Sequence, residues 1–590
     1  MRFARSPVLS FSPFREEFKS YSFRSLGHDL YSAFAVALLS IPQSIAYSLL
    51  AGLPPSAGLL AAIFGTIFST GLCSSRYLIS GPSTGVSILI QTSIADLLAT
   101  YYAPVTGAAR DELVLHILGQ IVLIVGIIQI GAAFFNVSKL LQFVSRPVTL
   151  GYFAGIVIAT FVNQAYYFLG VPHVRGDNFV LNKAILLVFN IAKLNWITLC
   201  LGMISLVLLL VLKKKPKKIQ WLPDALVVLV ISVLLNYLTV FFLGDQKVET
   251  LKSFEISSEP FIEFGIPFLD FKLINKIFPV ALAIAFLAIL EVSSISRTFA
   301  GTAKQPQGNQ DALGLGLGNT VLSVFVGAMP VSGSATRTTL NYRLNGQTRL
   351  AAIFSGLITL GIILFCLPLL QLVPLTALAT LMLVAAPALI NREELALIVR
   401  ATREDRWVFF FTCGSCLIFN LDIAFFIGIA LSIATYLRRS SIPYLVEYAF
   451  NAKGRLMIIT PKEDPHRKVR IIGIGGDLYF GSADVFQAAL HTVASDPNVL
   501  AIVLRLTNVH HMDASMCLAI ERLRTLLASQ HRYLVISGLT EEVWHVFHRT
   551  GLVKQIGLDN LYFTDESNPQ FSTWKACIRA QELIHRHAFD

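Results

Sequence analysis

From about Leu26 to Leu437 the chain is a succession of apolar stretches parted by short polar breaks, and after Arg439 it changes to short apolar runs alternating with helical patterns. The first region predicts about fourteen membrane segments, centred near Ala37, Ala62, Ile90, Ile124, Val157, Leu206, Val230, Ile284, Leu322, Thr338, Leu360, Met382, Cys413 and Ile429. Several are too short, or too broken by Gly and Pro, to be ordinary spans. The second region predicts strands at Val469–Ile474, Leu500–Leu506 and Tyr533–Ser537, with helices at Ser482–Ala494, Ala514–Ser529 and Glu541–Arg549. That alternation implies a small α/β domain with a buried sheet. The expected division is a cytoplasmic N-terminal segment (1–25), a transmembrane domain (26–440), a linker and domain start (441–463) and the α/β domain (464–590).

Composition agrees with a lipid environment. Of 590 residues, 54% are hydrophobic and 14% are charged, against about a quarter charged in soluble proteins, and the mean hydropathy is +0.65. A purely soluble enzyme and a disordered chain are thereby excluded. The net charge of +11 reads as cation placement at the cytoplasmic membrane face rather than as nucleic-acid binding. Met1–Arg24 lacks the apolar core and cleavage pattern of a signal peptide. With the N-terminus inside, the internal loops hold Lys213, Lys214, Lys215, Lys217 and Lys218, then Arg392, Arg400, Arg403 and Arg406, then Arg438 and Arg439. The loop after the seventh segment instead holds Asp245, Glu249, Glu255, Glu259, Glu263 and Asp270. This parity places both termini in the cytoplasm, and an inner (plasma) membrane is the expected location. The seven cysteines suggest no disulfide framework.

The two halves repeat one device. Ile41-Pro42-Gln43-Ser44 lies in the first segment, and Ser80-Gly81-Pro82-Ser83-Thr84 follows roughly forty residues on; Glu291 lies in the eighth, and Pro330-Val331-Ser332-Gly333-Ser334 follows at the same distance. Paired interruptions of this kind point to a transporter site between inverted repeats. Seven segments per half, an odd number, place the second half upside down relative to the first. Ser80 is the expected helix cap with Pro82 in the first helical position, and Ser332 or Ser334 the cap in the second half. Two helix starts brought face to face would join their free N–H groups and positive dipole ends, which suits an anion.

Arg337 lies in the second interruption, and a guanidinium at that depth is costly unless it is paired or serves a pathway. Its expected partner is Glu291, and a buried ion pair that only locks helices is the alternative role. For Gln43 and Tyr47, one turn apart, the alternative is interhelical hydrogen bonding; for Ser83 and Thr84 it is capping. A carboxyl in a dry site beside an Arg would ionise according to what else occupies the site, so proton and anion would bind together.

Ile41-Pro42-Gln43-Ser44-Ile45-Ala46-Tyr47, Ala51-Gly52-Leu53-Pro54-Pro55, Ser75-Arg76, Ser80-Gly81-Pro82, Glu291 in Glu-Val-Ser-Ser, and the Gly327–Asn341 stretch together resemble the SulP sulfate permease family of anion transporters. The likeness covers nearly the whole chain. It implies 7+7 inverted-repeat segments split into core and gate domains, a homodimer, and an anion site between the third and tenth segments. Gln43 and Tyr47 match the first-segment contacts, Ser83 and Thr84 the start of the third segment, and Thr336 and Arg337 the start of the tenth. Glu291 matches the buried acid, and its presence with Arg337 resembles proton-coupled members rather than sodium-coupled ones. The implied activity is proton-coupled symport of sulfate by alternating access. A bicarbonate, chloride or dicarboxylate exchanger or sodium-coupled carrier is the first rival and a channel the second, and the residues alone do not choose the anion.

The C-terminal region resembles a STAS domain. Asp513 and Ser515 stand where the related anti-sigma-factor antagonists have their switch loop, and these two are the regulatory candidates. The antagonists' phosphorylated Ser directly follows the Asp, whereas here Ala514 intervenes. Gly314-Leu315-Gly316-Leu317-Gly318 lacks the register of a nucleotide loop and reads as close helix packing. Cys413-Gly414-Ser415-Cys416 lies in an apolar helix without a second ligand pair, and His510-His511 read as surface histidines. No metal or cofactor is expected.

Overall fold

The computed structural model describes residues 17, 19, 21–102, 107–137, 144–172, 179–213, 223–243, 248–254, 262–267, 270–299, 308–441, 443–451, 453–459, 467–565 and 568–586. Lys214, Lys215, Lys217, Lys218, Asp245, Glu255 and Glu259, used above for topology, lie outside them. The chain forms two compact units, Met1–Ser432 and Ile433–Asp590.

The first unit is helical. Its elements are α1 (Phe23–Leu50), α2 (Pro55–Thr70), β1 (Ser80–Gly81), α3 (Thr84–Tyr101), α4 (Ala108–Phe134), α5 (Arg146–Leu169), α6 (Val180–Phe189), α7 (Trp196–Leu212), α8 (Asp224–Leu243), α9 (Phe271–Phe299), α10 (Gly308–Leu322), β2 (Ser332–Gly333), α11 (Ala335–Arg343), α12 (Leu350–Leu370), α13 (Leu375–Ala385), α14 (Arg392–Ala401), α15 (Arg403–Ile418) and α16 (Leu421–Ser440). Each of the fourteen expected centres falls in its own helix, from Ala37 in α1 to Ile429 in α16. The helices α6 and α14 are additional: they are ten residues each, too short to span. Six described helices are long and apolar enough to cross a bilayer, and others are cut short as the Gly and Pro breaks imply. The second turn of α2 is a π-turn, Ala61–Gly65.

The Gly314–Gly318 run is a packing surface. On α10, a Cβ at Gly316 would stand 2.7 Å from the Ile130 nitrogen and 2.9 Å from the Gly126 oxygen of α4, so the two backbones touch where only glycine fits. Cys413 and Cys416 are free thiols on α15, and Cys416 packs against Gly155 of α5.

The second unit is α/β. Its six-stranded sheet runs β4 (Leu456–Ile458), β3 (Tyr444–Phe450), β5 (Val469–Leu478), β6 (Ala501–Met512), β7 (Tyr533–Leu539), β8 (Leu561–Phe563), with β3 antiparallel to its neighbours and β5 to β8 parallel. Alternate residues serve opposite faces. Ile472, Leu504 and Ile536 join a cluster with α17 (Phe480–Ala494), α18 (Ala514–Ser529), α19 (Glu541–Thr550) and α20 (Leu552–Ile556). Ile471, Val503 and Val535 pack on Ala576 and Ala580 of α21 (Phe571–Arg586). Three strands and three helices stand where expected. The segment read as linker and domain start also supplies β3 and β4, whose backbones complete one side of the sheet; β8 forms the other edge, and α21 covers a face.

Candidate functional site

The two interruptions meet. β1 and β2 form an antiparallel pair with Ser80 opposite Gly333 and Gly81 opposite Ser332. The pairing is extended by Ser334 N–H donating to the Ile79 carbonyl at 3.0 Å and Ile79 N–H donating to Thr338 Oγ1 at 3.0 Å. Thr66 Oγ1 donates to the Ser80 carbonyl at 2.6 Å, and Asn319 of α10 holds Val331 by both its N–H (2.8 Å) and its carbonyl (3.3 Å). Each strand leads straight into a helix. Ser83 caps α3, its Oγ accepting from Val86 N–H, and Ser334 caps α11, accepting from Arg337 N–H. The caps therefore differ in part from expectation: Ser80 is a strand residue, and Pro82 precedes the cap instead of opening the helix, because the β1 pairing keeps the backbone extended through Ser83. Eighteen residues make α3 about 27 Å long, and α11 has nine.

Glu291 of α9 reaches this crossing and is 6% exposed. Its Oε2 accepts from Ser83 Oγ at 3.0 Å and from Ser332 Oγ in a second, short bond. Its Oε1 has no hydrogen-bond partner and faces Gly85, where a Cβ would stand 3.0 Å away.

Arg337 has no exposed surface. Its Nη2 donates to the Pro82 carbonyl at 2.7 Å, while Nε and Nη1 have no partner. The guanidinium lies across Gly81, whose φ is +153° and whose Cβ position is 2.4 Å from Nη1. The expected Glu291–Arg337 ion pair is thus absent. Two serine hydroxyls satisfy one oxygen of the acid, and the guanidinium is drawn to the carbonyl that ends β1, so each charge finds a nearer partner.

The remaining candidates converge on the same place. Thr336 Oγ1 donates to Gln43 Oε1 at 3.4 Å and lies 3.4 Å from Ser334 Oγ. Tyr47 is buried with its phenol against Thr84, within the electrostatic reach of Arg337 and Glu291. Gln43, Tyr47, Ser83, Thr84, Glu291, Thr336 and Arg337 therefore form one cluster drawn from α1, α3, α9 and α11. Ser332 enters as a ligand of the acid where a cap was expected. Asn319 of α10 carries no sequence signal that sets it apart from Asn309 and Gln310 in the same helix. Among the described residues no group of three or more His, Cys, Asp or Glu is placed to hold a metal.

Asp513 and Ser515 stand in the second unit. Asp513 caps α18 through Met516 N–H (3.0 Å) and also accepts from Phe480 N–H (2.7 Å), so it joins two helix starts. Ser515 is half-buried in the first turn of α18.

Residues 26–412 match the sulfate permease family, and residues 459–567 match the STAS domain. The chain belongs to the sulfate permease family. That is a family of transporters, not of enzymes. Across 557 residues it is 26% identical to the putative sulfate transporter YvdB of Bacillus subtilis, covering 93% of this chain and 98% of that one. It is 25% identical to sulfate transporter 4.1, chloroplastic, of Arabidopsis thaliana, covering 90% and 77%. Among solved structures it shares the fold of murine Solute Carrier 26 family member A9, an anion transporter in the inward-facing state, with a TM-score of 0.83 at 17% identity over 98% of this chain and 94% of that one. The transmembrane domain of the cyanobacterial bicarbonate transporter BicA matches 70% of this chain and 98% of its own length, with a TM-score of 0.57 at 19% identity.

Proposed function

We propose that this permease-family chain is a secondary active anion transporter that carries sulfate together with a proton by alternating access. It works in the plasma membrane as a homodimer with both termini cytoplasmic. The observation that carries the reading is the wholly buried Arg337 with two unsatisfied N–H groups, set at the start of one half-helix beside the start of another. An anion between α3 and α11 would take those donors and the capped helix ends. Gln43, Tyr47, Ser83, Thr84 and Thr336 surround it with neutral donors, and Glu291 takes the coupling proton. The anion's charge in a dry site favours protonated Glu291, and protonation in turn relieves repulsion of the anion, so the two load together. The names of the sulfate-transporting relatives support sulfate as the substrate; the bicarbonate transporter of like fold makes bicarbonate the rival.

The test is uptake of labelled sulfate, bicarbonate and fumarate into proteoliposomes under an imposed proton or sodium gradient, for wild type and Glu291→Gln. Acid outside should drive sulfate inward, and Glu291→Gln should abolish that drive while anion binding survives. Uptake driven only by sodium or by a counter-anion, with Glu291 dispensable, would overturn the proton mechanism.

A further inference from the structure

At the membrane face where α1 begins, a cavity of about 550 Å³ opens between the first turns of α1 and the end of α11, lined by Arg24, Gly27, His28, Tyr31, Arg343, Leu344 and Asn345. It lies at the other end of α11 from Arg337, six residues on at Arg343, about 9 Å along the helix. We infer that this cavity seats the phosphate of an anionic membrane lipid, with the two guanidiniums as its ligands.

Charge supports this first. Among the described residues, Arg24, His28 and Arg343 enter no hydrogen bond or ion pair, although each has donors to offer. The acids nearest in sequence are spent elsewhere. Asp29 is fully buried and accepts from Gln347 N–H (2.6 Å), Thr348 N–H (3.2 Å) and Thr348 Oγ1 (2.5 Å), and Glu17 pairs with Arg349. Two guanidiniums therefore converge on one concavity with no counter-charge of their own, and a phosphate's oxygens match the planar fork of each. The positive end of the α1 dipole adds to the same field.

Surroundings decide between a lipid and a free ion. Tyr31 in the cavity's lining is half exposed, and beside the lining residues in the chain Phe23 is 93% exposed and Phe34 and Tyr342 are close to half exposed. Aromatics at the end of a membrane helix occupy the headgroup level, where acyl chains continue inward. A headgroup phosphate in the cavity would leave its chains along these rings, as basic pockets between spans hold acidic lipid heads. Such a lipid joins the first turn of α1 to the last turn of α11, the helix whose other end presents Thr336 and Arg337, so its occupancy bears on the rigidity of the anion site.

The experiment uses the purified full-length protein and native mass spectrometry of its retained lipids, with phosphatidylglycerol offered against phosphatidylcholine. Melting temperature is measured in parallel in nanodiscs of each composition. Wild type should hold one phosphatidylglycerol in preference and melt several degrees higher in its presence. The pair Arg24→Ala and Arg343→Ala should weaken that adduct by about tenfold or more, and Arg24→Lys with Arg343→Lys, which keeps both charges but not the fork and guards against misfolding, should fall between wild type and the alanine pair. Equal retention of the two lipids, or an adduct unchanged in the alanine pair, would overturn the inference. Full protection by inorganic phosphate at millimolar concentration in phosphatidylcholine alone would overturn the lipid as its source.

Discussion

Gly81→Ala tests the geometry of the proposed anion site most directly. The added methyl would sit 2.4 Å from Arg337 Nη1, 2.8 Å from Nη2 and 2.9 Å from Cζ, on a backbone whose φ is +153°. A non-glycine residue in that region costs about 1–3 kcal/mol. Moving the guanidinium aside carries its free Nε and Nη1 donors away from the place proposed for the anion, about 1.5–3 kcal/mol for a charge-assisted bond lost there. The backbone share falls on the fold. The guanidinium share falls on ligand binding, where it corresponds to a roughly tenfold to hundredfold weaker Kd. Thermal melting titrated with the transported anion separates the two, because the first lowers the melting temperature without ligand and the second lowers the ligand-induced rise. Gly52→Ala is the control: φ there is +72° but no atom lies within 4 Å of the Cβ position, so stability should fall and affinity should hold within about twofold. Wild-type affinity in Gly81→Ala, with a stability loss no greater than that of Gly52→Ala, would refute the placement of Arg337 on Gly81.

Two further outcomes follow from packing and burial. Gly316→Val drives a side chain into the backbone of α4 at Ile130 and Gly126, so the purified protein should melt several degrees lower, about 1–3 kcal/mol of overpacking, whereas Gly361→Ala, with open space at its Cβ, should be neutral in the same melt. Burial pushes the Cys577 thiol of α21 up to about 12, so at pH 8 roughly one in ten thousand is thiolate. Because the thiol is half-buried, its alkylation by iodoacetamide, followed by peptide mass spectrometry, should be slower in the native protein than after denaturation. Because the folded value is the raised one, the stability owed to this thiol is full below the unfolded value near 8.5 and is lost as pH rises toward 12; alkylation at the denatured rate in native protein would contradict its burial.

The sequence displayed the elements better than it displayed their junctions. Thirteen helices announce themselves by apolar length, the nine-residue polar α11 only by the Pro330–Ser334 break that opens it, and the strands at Val469, Leu500 and Tyr533 because a buried parallel strand is a continuous apolar run. Short amphipathic pieces such as α14 escape, as do the edge strand β4 and its neighbour β3, which mix polar and apolar residues. At the site the candidate list is legible because polar residues in membrane helices are rare, so Gln43, Glu291 and Arg337 stand out. Pairing is not. Whether Glu291 meets Arg337 or Ser332 depends on how β2 and the start of α11 lie against α9 and β1, and the register that pairs Ser80-Gly81 with Ser332-Gly333 is not fixed by either half alone.

That register bears on how charge and proton can sense each other. Arg337 and Glu291 both belong to the second half, yet each is anchored to the first through adjacent residues: the guanidinium to the Pro82 carbonyl and the carboxylate to the Ser83 hydroxyl. Pro82 fixes its own φ and restricts the residue before it, and Ser83 caps α3, so this two-residue step is stiff. In the proposed cycle an anion taking the free Nε and Nη1 groups of Arg337 pulls on a guanidinium whose Nη2 is held by the Pro82 carbonyl. Any shift of that carbonyl is passed to Ser83 and so to the oxygen of Glu291 it serves. Coupling then needs no direct ion pair. It needs the helix start that binds the anion and the hydroxyl that holds the acid to be neighbours in the chain, and Pro82 and Ser83 are.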